Sequence, residues 1–591
     1  MAVAKEDKQI IKRIIELFKP YTKKIIAVVL CIIVSSGISM LVPLMSQRLV
    51  DYGLLAGNFR EVLRYSIASL LLIMLDQGFG IVETKYRSYI HALLSYNLTK
   101  AAFKHTLRLK MQFFHNTNYA EVMSNLGMDI GNISRIADRS TFYIVTSVFR
   151  VLGGIVGLLL IDWRLTIAVV LLVPGRYALV KYLAKKRKKL FETYMECNEE
   201  YSAWYGDTLG GIKEIKLLGL DRIKLGEFIK KQKALIKINI KMEFLNKINE
   251  ASENVIFQCI VVMLYLFGAY LVFHNVFTVG GLFAFISYSS YVTAPISAIL
   301  NIGYSFSDVL PSAKRFFGFM DMESEDYKQK DLKSVHAEQA RGNIRFEHVT
   351  FSYKKDEPVV KDISFEVAAG EKVAIIGTNG SGKTTVANLI LRIYKPDTGR
   401  ILLDGIDINS LKLRDYRQLI SVVSQDIYLF NTSIKENIVP YAKKHMEKVL
   451  AAAGESGARK FIDGMMQGFE SIVGDRGAGL SGGERQKIAM ARAFARDSKI
   501  LVLDEATSNY DVETEGWINK RLQKGFKGRT VFVITHKPEL LESVDKIIIM
   551  DNGSVLDMGT PQELAERNKF YREMVHGYQE RSRNAGSVLI S

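Results

Sequence analysis

The fold of the second half of the chain is decided by the stretch Lys372-Val373-Ala374-Ile375-Ile376-Gly377-Thr378-Asn379-Gly380-Ser381-Gly382-Lys383-Thr384. Its first part, Lys372 to Ile376, is an apolar run typical of a buried parallel strand. The glycine-rich part fits the phosphate-binding loop pattern, with a strand before it and a predicted helix, Thr385 to Ile393, after it. The glycines let backbone amides surround the β-phosphate, Lys383 reaches the β- and γ-phosphates, and the Thr384 hydroxyl binds Mg²⁺. The pattern therefore predicts a nucleotide-binding α/β domain.

Two further apolar runs place polar residues that suit the same chemistry. Ile500 to Leu503 predicts a second buried strand, with Asp504 and Glu505 at its carboxyl end, where an open parallel sheet binds its ligands. Asp504 is expected to hold Mg²⁺ through water, and Glu505 to act as general base on the attacking water. A third predicted strand, Thr530 to Ile534, leads to His536, which is placed to reach the γ-phosphate.

The stretch Leu480-Ser481-Gly482-Gly483-Glu484 has the features of half an anion site. Ser481 and the two glycines precede a predicted helix, Glu484 to Phe494, and aim backbone N–H groups and a positive helix end at a phosphate. No lysine follows these glycines to meet the charge, whereas Lys383 lies in the loop described above. We therefore expect the two half-sites to come from two different subunits and to meet across one nucleotide.

The composition divides the 591-residue chain into two parts. Long charge-poor runs fill the first half, a charged and glycine-rich pattern fills the second, and the length allows two or more domains. The net charge of +17 is compatible with nucleic acid, an anionic membrane surface or basic cytoplasmic loops. The cysteines, Cys31, Cys197 and Cys259, are too few and too scattered for a disulfide framework or a metal cluster.

Six segments of the first half are long and apolar enough to cross a membrane. They lie at residues 25–47, 62–88, 139–161, 164–184, 251–273 and 279–304. The short links between them carry little charge, whereas the long links, around Lys100 to Lys110 and from Lys181 to Lys247, are rich in Lys and Arg. This asymmetry predicts a multi-pass protein of the cell membrane with both termini and the nucleotide domain in the cytoplasm, and it accounts for much of the basic balance without nucleic acid. The long links are expected to continue their spans as helices.

Three charged residues, Asp76, Arg150 and Arg176, interrupt the predicted spans. Each lies roughly 18 Å from a charge at the outer end of its span, near the membrane midplane. Because a charge in lipid is costly, these side chains are expected to face the bundle interior, a partner or water. One interpretation is an ion pair of Asp76 with Arg150 or Arg176 that fixes helix packing. The other is a translocation cavity with surplus positive charge, suited to an anionic or zwitterionic substrate.

Together these motifs resemble those of ABC exporter half-transporters, in which six spans are fused to one nucleotide-binding domain. Gly377 to Thr384 matches the Walker A motif, Ile500 to Asp504 matches Walker B, and Leu480 to Glu484 matches the ABC signature. The resemblance implies that Tyr353 stacks on adenine. It also implies an ATP-binding loop formed by Gly377, Thr378, Asn379, Gly380, Ser381, Gly382, Lys383, Thr384 and Thr385.

The resemblance also assigns roles beyond the loop. It makes Gln425 the Q-loop glutamine, His536 the switch histidine and Asp511 the D-loop aspartate. The expected catalytic residues are then Glu505, His536 and Gln425, and the expected Mg²⁺ ligands are Thr384, Gln425 and Asp504. The chain departs from the family's Ser-Ala-Leu-Asp after Walker B, since it has Ser508-Asn509-Tyr510-Asp511.

The predicted fold is an α-helical transmembrane domain with six spans and long cytoplasmic extensions, followed by an α/β P-loop ATPase domain. The expected boundaries are a transmembrane domain over 1–325, a linker over 326–343, an ABC nucleotide-binding domain over 344–580 and a C-terminal tail over 581–591.

The resemblance implies ATP hydrolysis, with ATP and Mg²⁺ as cofactors, coupled by alternating access in a dimer to export of a peptide, a lipid or an amphipathic small molecule. An importer on the same scaffold and an ATP-regulated channel or sensor that does not transport are the alternatives. A soluble ATPase acting on nucleic acid also fits the motifs, but the six spans argue against it. One complete motif set per chain favours a homodimer, with a heterodimer as the alternative.

Overall fold

The computed structural model describes residues 5–115, 119–274, 276–295, 309–325, 332–354, 356–440, 445–474, 477, 479–505, 526 and 528–575. The chain divides into two compact units. The first comprises Met1–Leu107 and Asn118–Met322, and the second comprises Arg108–Thr117 and Glu323–Ser591. Part of the expected linker, the segment 506–525 with Asp511, and the C-terminal tail lie outside the described residues.

The first unit is built from helices. In chain order the helices are α1 (Lys5–Phe18), α2 (Thr22–Arg48), α3 (Phe59–Thr106), α4 (Met111–His115, in the second unit), α5 (Tyr119–Ser134), α6 (Arg139–Ile161), α7 (Trp163–Gly210), α8 (Ile212–Leu218), α9 (Asp221–Phe273), α10 (Val279–Thr293) and α11 (Val309–Met320). A π-helical turn, Leu49–Leu54, extends α2. Side-chain oxygens start two of the long helices: Asn58 accepts from the first N–H groups of α3, and Asp162 from those of α7.

Among the residues that the structure describes, five helical stretches are long and apolar enough to cross a membrane. They are Asp7–Leu54, Phe59–Thr106, Val122–Ile161, Trp163–Gly210 and Asp221–Phe273, and they contain the first five predicted spans. The sixth predicted span begins with α10, and its part beyond residue 295 lies outside the described residues. Helix α9 has 53 residues and is therefore about 80 Å long, far more than a bilayer core of about 30 Å requires. The helical continuation predicted for the second long link is thus confirmed.

The second unit contains two sheets. Its strands are β1 (Ile344–Ser352), β2 (Pro358–Val367), β3 (Lys372–Gly377), β4 (Thr398–Leu403), β5 (Ile406–Asp407), β6 (Ile420–Val423), β7 (Ile500–Asp504), β8 (Thr530–Ile534), β9 (Lys546–Asp551) and β10 (Ser554–Gly559). The first sheet is antiparallel, with the order β2-β1-β4-β5. The second has the order β10-β9-β3-β8-β7-β6, and the predicted strands β3, β7 and β8 lie side by side in it.

The helices of the second unit beyond α4 surround these sheets. They are α12 (Lys383–Ile390), α13 (Leu413–Gln418), α14 (Ile434–Ile438), α15 (Met446–Glu455), α16 (Arg459–Asp463), α17 (Gly482–Phe494), α18 (Pro538–Leu541) and α19 (Pro561–Arg567). Every residue of β7 and β8 is buried, as expected for parallel strands covered on both faces. This explains why their sequences are continuous apolar runs instead of alternating patterns.

Parallel pairing aligns the carboxyl ends of the central strands. Strand β3 pairs in parallel with β8, β8 with β7, and β7 with β6. The register sets Asp504 opposite Ile534, so the residues that follow β7 and β8 emerge side by side. One edge of the sheet therefore collects the polar residues that come directly after these strands.

Candidate nucleotide site and membrane cavity

Four predicted parts of the nucleotide site follow four adjacent strands. The loop Gly377–Thr384 follows β3, and His536 follows β8. Glu505 follows β7, and Gln425 comes shortly after β6. Because the strand order is β3-β8-β7-β6, these parts are arranged in the same order along one edge of the sheet.

The loop after β3 depends on glycine at two positions. Gly377 has φ 152° and Gly382 has φ 99°, and residues other than glycine rarely adopt such positive φ values. A Cβ at Gly377 would lie 2.1 Å from the carbonyl oxygen of Met550. Lys383, at the start of α12, donates from Nζ to the carbonyl oxygens of Gly377 at 3.0 Å and Thr378 at 2.8 Å. The loop therefore folds around the ammonium group of Lys383, which binds two of its carbonyl oxygens.

Asp504 is a buried carboxylate with an incomplete set of partners. Its side chain is at the end of β7, and the residue is 7% exposed. Burial and, next, the charge of Glu505 raise the pKa of Asp504 while Lys383 opposes them, and together they bring it to about 6. Within the described part of the chain, Oδ1 of Asp504 is buried and has no hydrogen-bond partner. A buried oxygen of this kind is suited to a cation.

Glu505 lies at the centre of the predicted catalytic group. Gln425 donates from Nε2 to Oε2 of Glu505 at 2.7 Å, and Nε2 of His536 lies 3.5 Å from Oε1. The backbone of Glu505 has φ 47°, a strained value for a residue other than glycine, and its N–H donates to the carbonyl oxygen of Ile534 at 3.0 Å. The structure thus brings Glu505, His536 and Gln425 together around one carboxylate.

The surroundings of His536 favour a neutral imidazole. Burial lowers the pKa of His536, the positive charge of Lys383 lowers it further, and the carboxylate of Glu505 opposes these effects. Burial likewise lowers the pKa of Lys383, while Glu505 and Asp504 act in the opposite direction. The neutral histidine can donate one hydrogen bond and accept another.

Tyr353 lies beside an aromatic pocket of about 220 Å³. The residue is 37% exposed, and its hydroxyl is 3.2 Å from Oγ1 of Thr385, at the start of α12. Phe351 and Tyr394 stand edge-on to its ring, with centroids 5.0 and 5.2 Å away, and both also line the pocket. An exposed ring next to the loop suits a planar base, which is the role predicted for Tyr353.

The signature stretch begins α17, two residues earlier than predicted. The helix starts at Gly482 because Ser481 caps it: Oγ of Ser481 accepts from the Glu484 N–H at 3.3 Å, and the Ser481 N–H donates to the Glu484 carboxylate at 2.8 Å. Ser481 itself is exposed. Glu484 of the same chain therefore lies at the helix end where Leu480–Glu484 was predicted to bind a phosphate.

The first unit contains a polar cavity of about 570 Å³. Asp76 of α3 and Arg150 of α6 both line it, and Ser35 of α2 donates a hydrogen bond to Asp76. Nε of Arg150 is buried and has no hydrogen-bond partner among the described residues. No ion pair joins Asp76 to Arg150 in the described part of the chain, so the packing pair that the sequence allowed is not formed.

Arg176 lies apart from this cavity. Its side chain is 1% exposed, and Nη2 is 2.5 Å from Oε1 of Glu253. The pair joins α7 to α9, whereas the cavity lies among α2, α3 and α6. Sequence reasoning missed Glu253 because it considered pairs only among the three charges near the membrane midplane, whereas Glu253 lies at the start of the fifth predicted span.

Two families match the chain, and they correspond to its two units. "ABC transporter transmembrane region" matches residues 25–296, and "ABC transporter" matches residues 360–508. The chain is 30% identical to the "Putative multidrug export ATP-binding/permease protein YgaD" of Bacillus subtilis, over 96% of this chain and 98% of that protein. It is 29% identical to an "ATP-dependent lipid A-core flippase" of Haemophilus influenzae, over 96% of each chain.

A solved structure shares the whole architecture. The "Structure of a bacterial Atm1-family ABC exporter with ATP bound" matches with a TM-score of 0.78 and 25% identity, over 93% of this chain and 98% of that one. The chain belongs to the ABC transporter family as an exporter half-transporter, a multi-pass membrane protein that couples ATP hydrolysis to export.

Proposed function

We propose that the chain acts as a homodimer that exports an amphipathic molecule with an anionic group, driven by Mg²⁺-dependent ATP hydrolysis. The observation that carries the proposal is Arg150, whose Nε is buried without a hydrogen-bond partner among the described residues, at a polar cavity between membrane helices. Relatives named as a lipid A-core flippase and a putative multidrug exporter support a lipid or a similar amphipath as cargo.

The charges of the cavity favour an anion as ligand. A charged side chain within a bilayer costs several kcal/mol unless it meets a partner or water. Asp76 accepts a hydrogen bond from Ser35, and the other lining charges, Glu83 and Arg87, pair with each other at 3.0 Å. Arg150 is the lining cation whose guanidinium has capacity left for a phosphate or carboxylate. A volume of about 570 Å³ is adequate for a polar headgroup.

The exposure of Ser481 at the N-terminus of the signature helix supports a site shared by two copies of the chain. Each chain carries one loop with Lys383 and one signature with Ser481. A two-fold dimer pairs the loop of each subunit with the signature of the other and so makes two equal sites. Closing the dimer would bring a terminal phosphate to the N-terminus of α17, where it replaces the carboxylate of Glu484.

The donors at the sheet edge fit Mg²⁺. Asp504 offers the unpartnered oxygen Oδ1, Thr384 offers an exposed hydroxyl at the start of α12, and Gln425 offers a side-chain carbonyl. All three are oxygen ligands, which this hard cation prefers. When bound, Mg²⁺ supplies positive charge that neutralises the phosphate oxygens.

Glu505 is placed to remove the proton from the attacking water. Gln425 donates to one carboxylate oxygen of Glu505, Nε2 of His536 lies 3.5 Å from the other, and the strained backbone of Glu505 fixes where its side chain begins. A water that donates to this carboxylate loses its proton to it as it attacks the γ-phosphate. Hydrolysis then separates the signature from the loop, and the spans return to their starting arrangement. The Lys- and Arg-rich links support a cytoplasmic location for the ATP sites and both termini.

Replacing the proposed base tests the hydrolytic step. Glu505→Gln keeps the size of the side chain but cannot accept a proton, so we expect ATP binding to persist and turnover to fall at least about 100-fold. ATPase activity and nucleotide binding of the full-length protein in nanodiscs measure both. Glu447→Gln, at an exposed carboxylate of α15, is the control. Near-normal turnover of Glu505→Gln refutes the assignment.

The raised pKa of Asp504 predicts how stability depends on pH. A carboxyl whose folded pKa is about 6, against 3.8 in the unfolded chain, favours folding below pH 3.8, and this contribution is lost as pH rises through 6. Without Mg²⁺, Asp504→Asn should therefore stabilise the protein by about 1 kcal/mol at pH 7.5 and by less at pH 5. Thermal unfolding at both pH values measures this, and a gain that does not change with pH contradicts it.

Arg150→Ala tests the anion site. Loss of a charge-assisted contact should reduce flux of an anionic fluorescent lipid about tenfold, and Arg150→Lys should restore part of it. A neutral lipid with the same tails should be affected much less. Flux in proteoliposomes and ATPase activity are measured together, with Arg60→Ala, at an exposed position of α3, as control. Unchanged flux of the anionic lipid with normal expression overturns the proposal.

A further inference from the structure

Helix α2 has a proline in its interior, and this leaves a carbonyl group without its helical donor. Pro43 has no N–H, so the carbonyl of Ser39, four residues earlier, loses its hydrogen bond, and the proline ring also pushes against that oxygen. Both residues are buried. A carbonyl without a donor is unfavourable inside a membrane, because no water is there to replace the lost bond, so a neighbouring helix is expected to supply a donor.

Tyr291 of α10 supplies this donor. Its hydroxyl donates to the Ser39 carbonyl oxygen at 3.2 Å, across 252 positions of the sequence. Tyr288, one turn earlier on the same helix, donates to the carbonyl oxygen of Met40. The two carbonyls differ in one respect: the residue four positions after Ser39 is Pro43, which has no N–H, whereas the residue four positions after Met40 is Leu44, which has one. Tyr291 therefore takes the place of a backbone donor that the sequence removes, whereas a backbone donor is available to the carbonyl that Tyr288 contacts.

Helix α6 leaves room for both tyrosines to reach α2. A Cβ at Gly157 would lie 2.7 Å from the ring of Tyr288, and one at Gly154 would lie 3.1 Å from Cβ of Tyr291. Larger residues at either position would move the tyrosines away from the Ser39 and Met40 carbonyls of α2. The glycines therefore bring α10 close enough to α6 for the hydroxyls to contact the backbone of α2.

The same contacts border the cavity of the first unit. Ser39 lies one helical turn after Ser35, which lines the cavity and holds Asp76. Gly154 lies one turn after Arg150 on α6. A shift of α2 near Pro43 would therefore move Ser35, and the hydrogen bond that it donates to Asp76 of α3, relative to Arg150.

We infer that Tyr291 is a positioning residue for transport: its hydroxyl satisfies the Ser39 carbonyl that Pro43 leaves without a donor, and so fixes the wall of the cavity that carries Ser35. The inference rests on the proposed function only for the role of the cavity. The hydrogen bond itself can be tested separately.

A double-mutant cycle isolates the hydrogen bond. Tyr291→Phe should lower the thermal unfolding midpoint of the full-length protein by about 1–3 °C, because the Ser39 carbonyl is left without a donor. In a Pro43→Ala background the N–H of residue 43 returns, and Tyr291→Phe should then have little effect. Tyr288→Phe is the matched control, since its cost should be similar in both backgrounds. An equal cost of Tyr291→Phe with and without Pro43 overturns the inference.

A transport readout tests the positioning role. Tyr291→Phe should raise the half-saturating concentration of the anionic fluorescent lipid roughly three- to tenfold, and adding Pro43→Ala should reverse most of this. If the thermal cycle shows coupling but the half-saturating concentration does not change, the positioning role is refuted. If Arg150→Ala leaves flux unchanged while the thermal coupling is present, the anion site fails and the Tyr291 hydrogen bond stands.

Discussion

Parallel pairing of β3, β8, β7 and β6 is the constraint on which the candidate ATP site depends. Strands β3, β7 and β8 are buried almost throughout, so they are apolar runs, and the charged residues of the candidate site come where these strands end. The pairing brings these ends to one edge and sets the loop, His536, Glu505 and Gln425 in order. The same burial that covers the strands raises the pKa of Asp504 and lowers that of Lys383, as expected of ionisable groups held away from water.

In the membrane unit, several buried charges and one backbone carbonyl meet partners on other helices. Arg176 meets Glu253, and Asp76 meets Ser35. The carbonyl freed by Pro43 meets Tyr291, from a helix far away in the sequence. Arg150 differs from these groups in that it carries a charge, lines the cavity and has an Nε without a hydrogen-bond partner among the described residues, as have the uncharged hydroxyls of Ser36 and Ser147. Under the proposed function, an anionic group of the substrate supplies the partner of Arg150.

The sequence was sufficient to predict elements and motifs, but not long-range partners. Continuous apolar runs predicted β3, β7 and β8, and charge-poor segments predicted the first five spans. The pairing of Arg176 with Glu253 and of Tyr291 with Ser39 depends on how helices pack, and no local pattern encodes it. The contacts of Glu505 with Gln425 and His536 depend on strand register, which a single sequence does not fix. The predicted start of the signature helix, Glu484, was wrong by two residues. The helix begins at Gly482 because Ser481 caps it, and the prediction assigned Ser481 to the anion site alone.

The central claim is that each ATP site is completed by two copies of the chain, and subunit complementation tests it most directly. Lys383→Ala disables the loop and Ser481→Arg the signature, so each variant alone should be inactive. Co-expressed with different affinity tags and purified for both, the mixed dimer retains one loop and one signature that face each other. It should hydrolyse ATP at about half the wild-type rate, since one of two symmetric sites is intact. A mixed dimer as inactive as either variant alone would contradict the account.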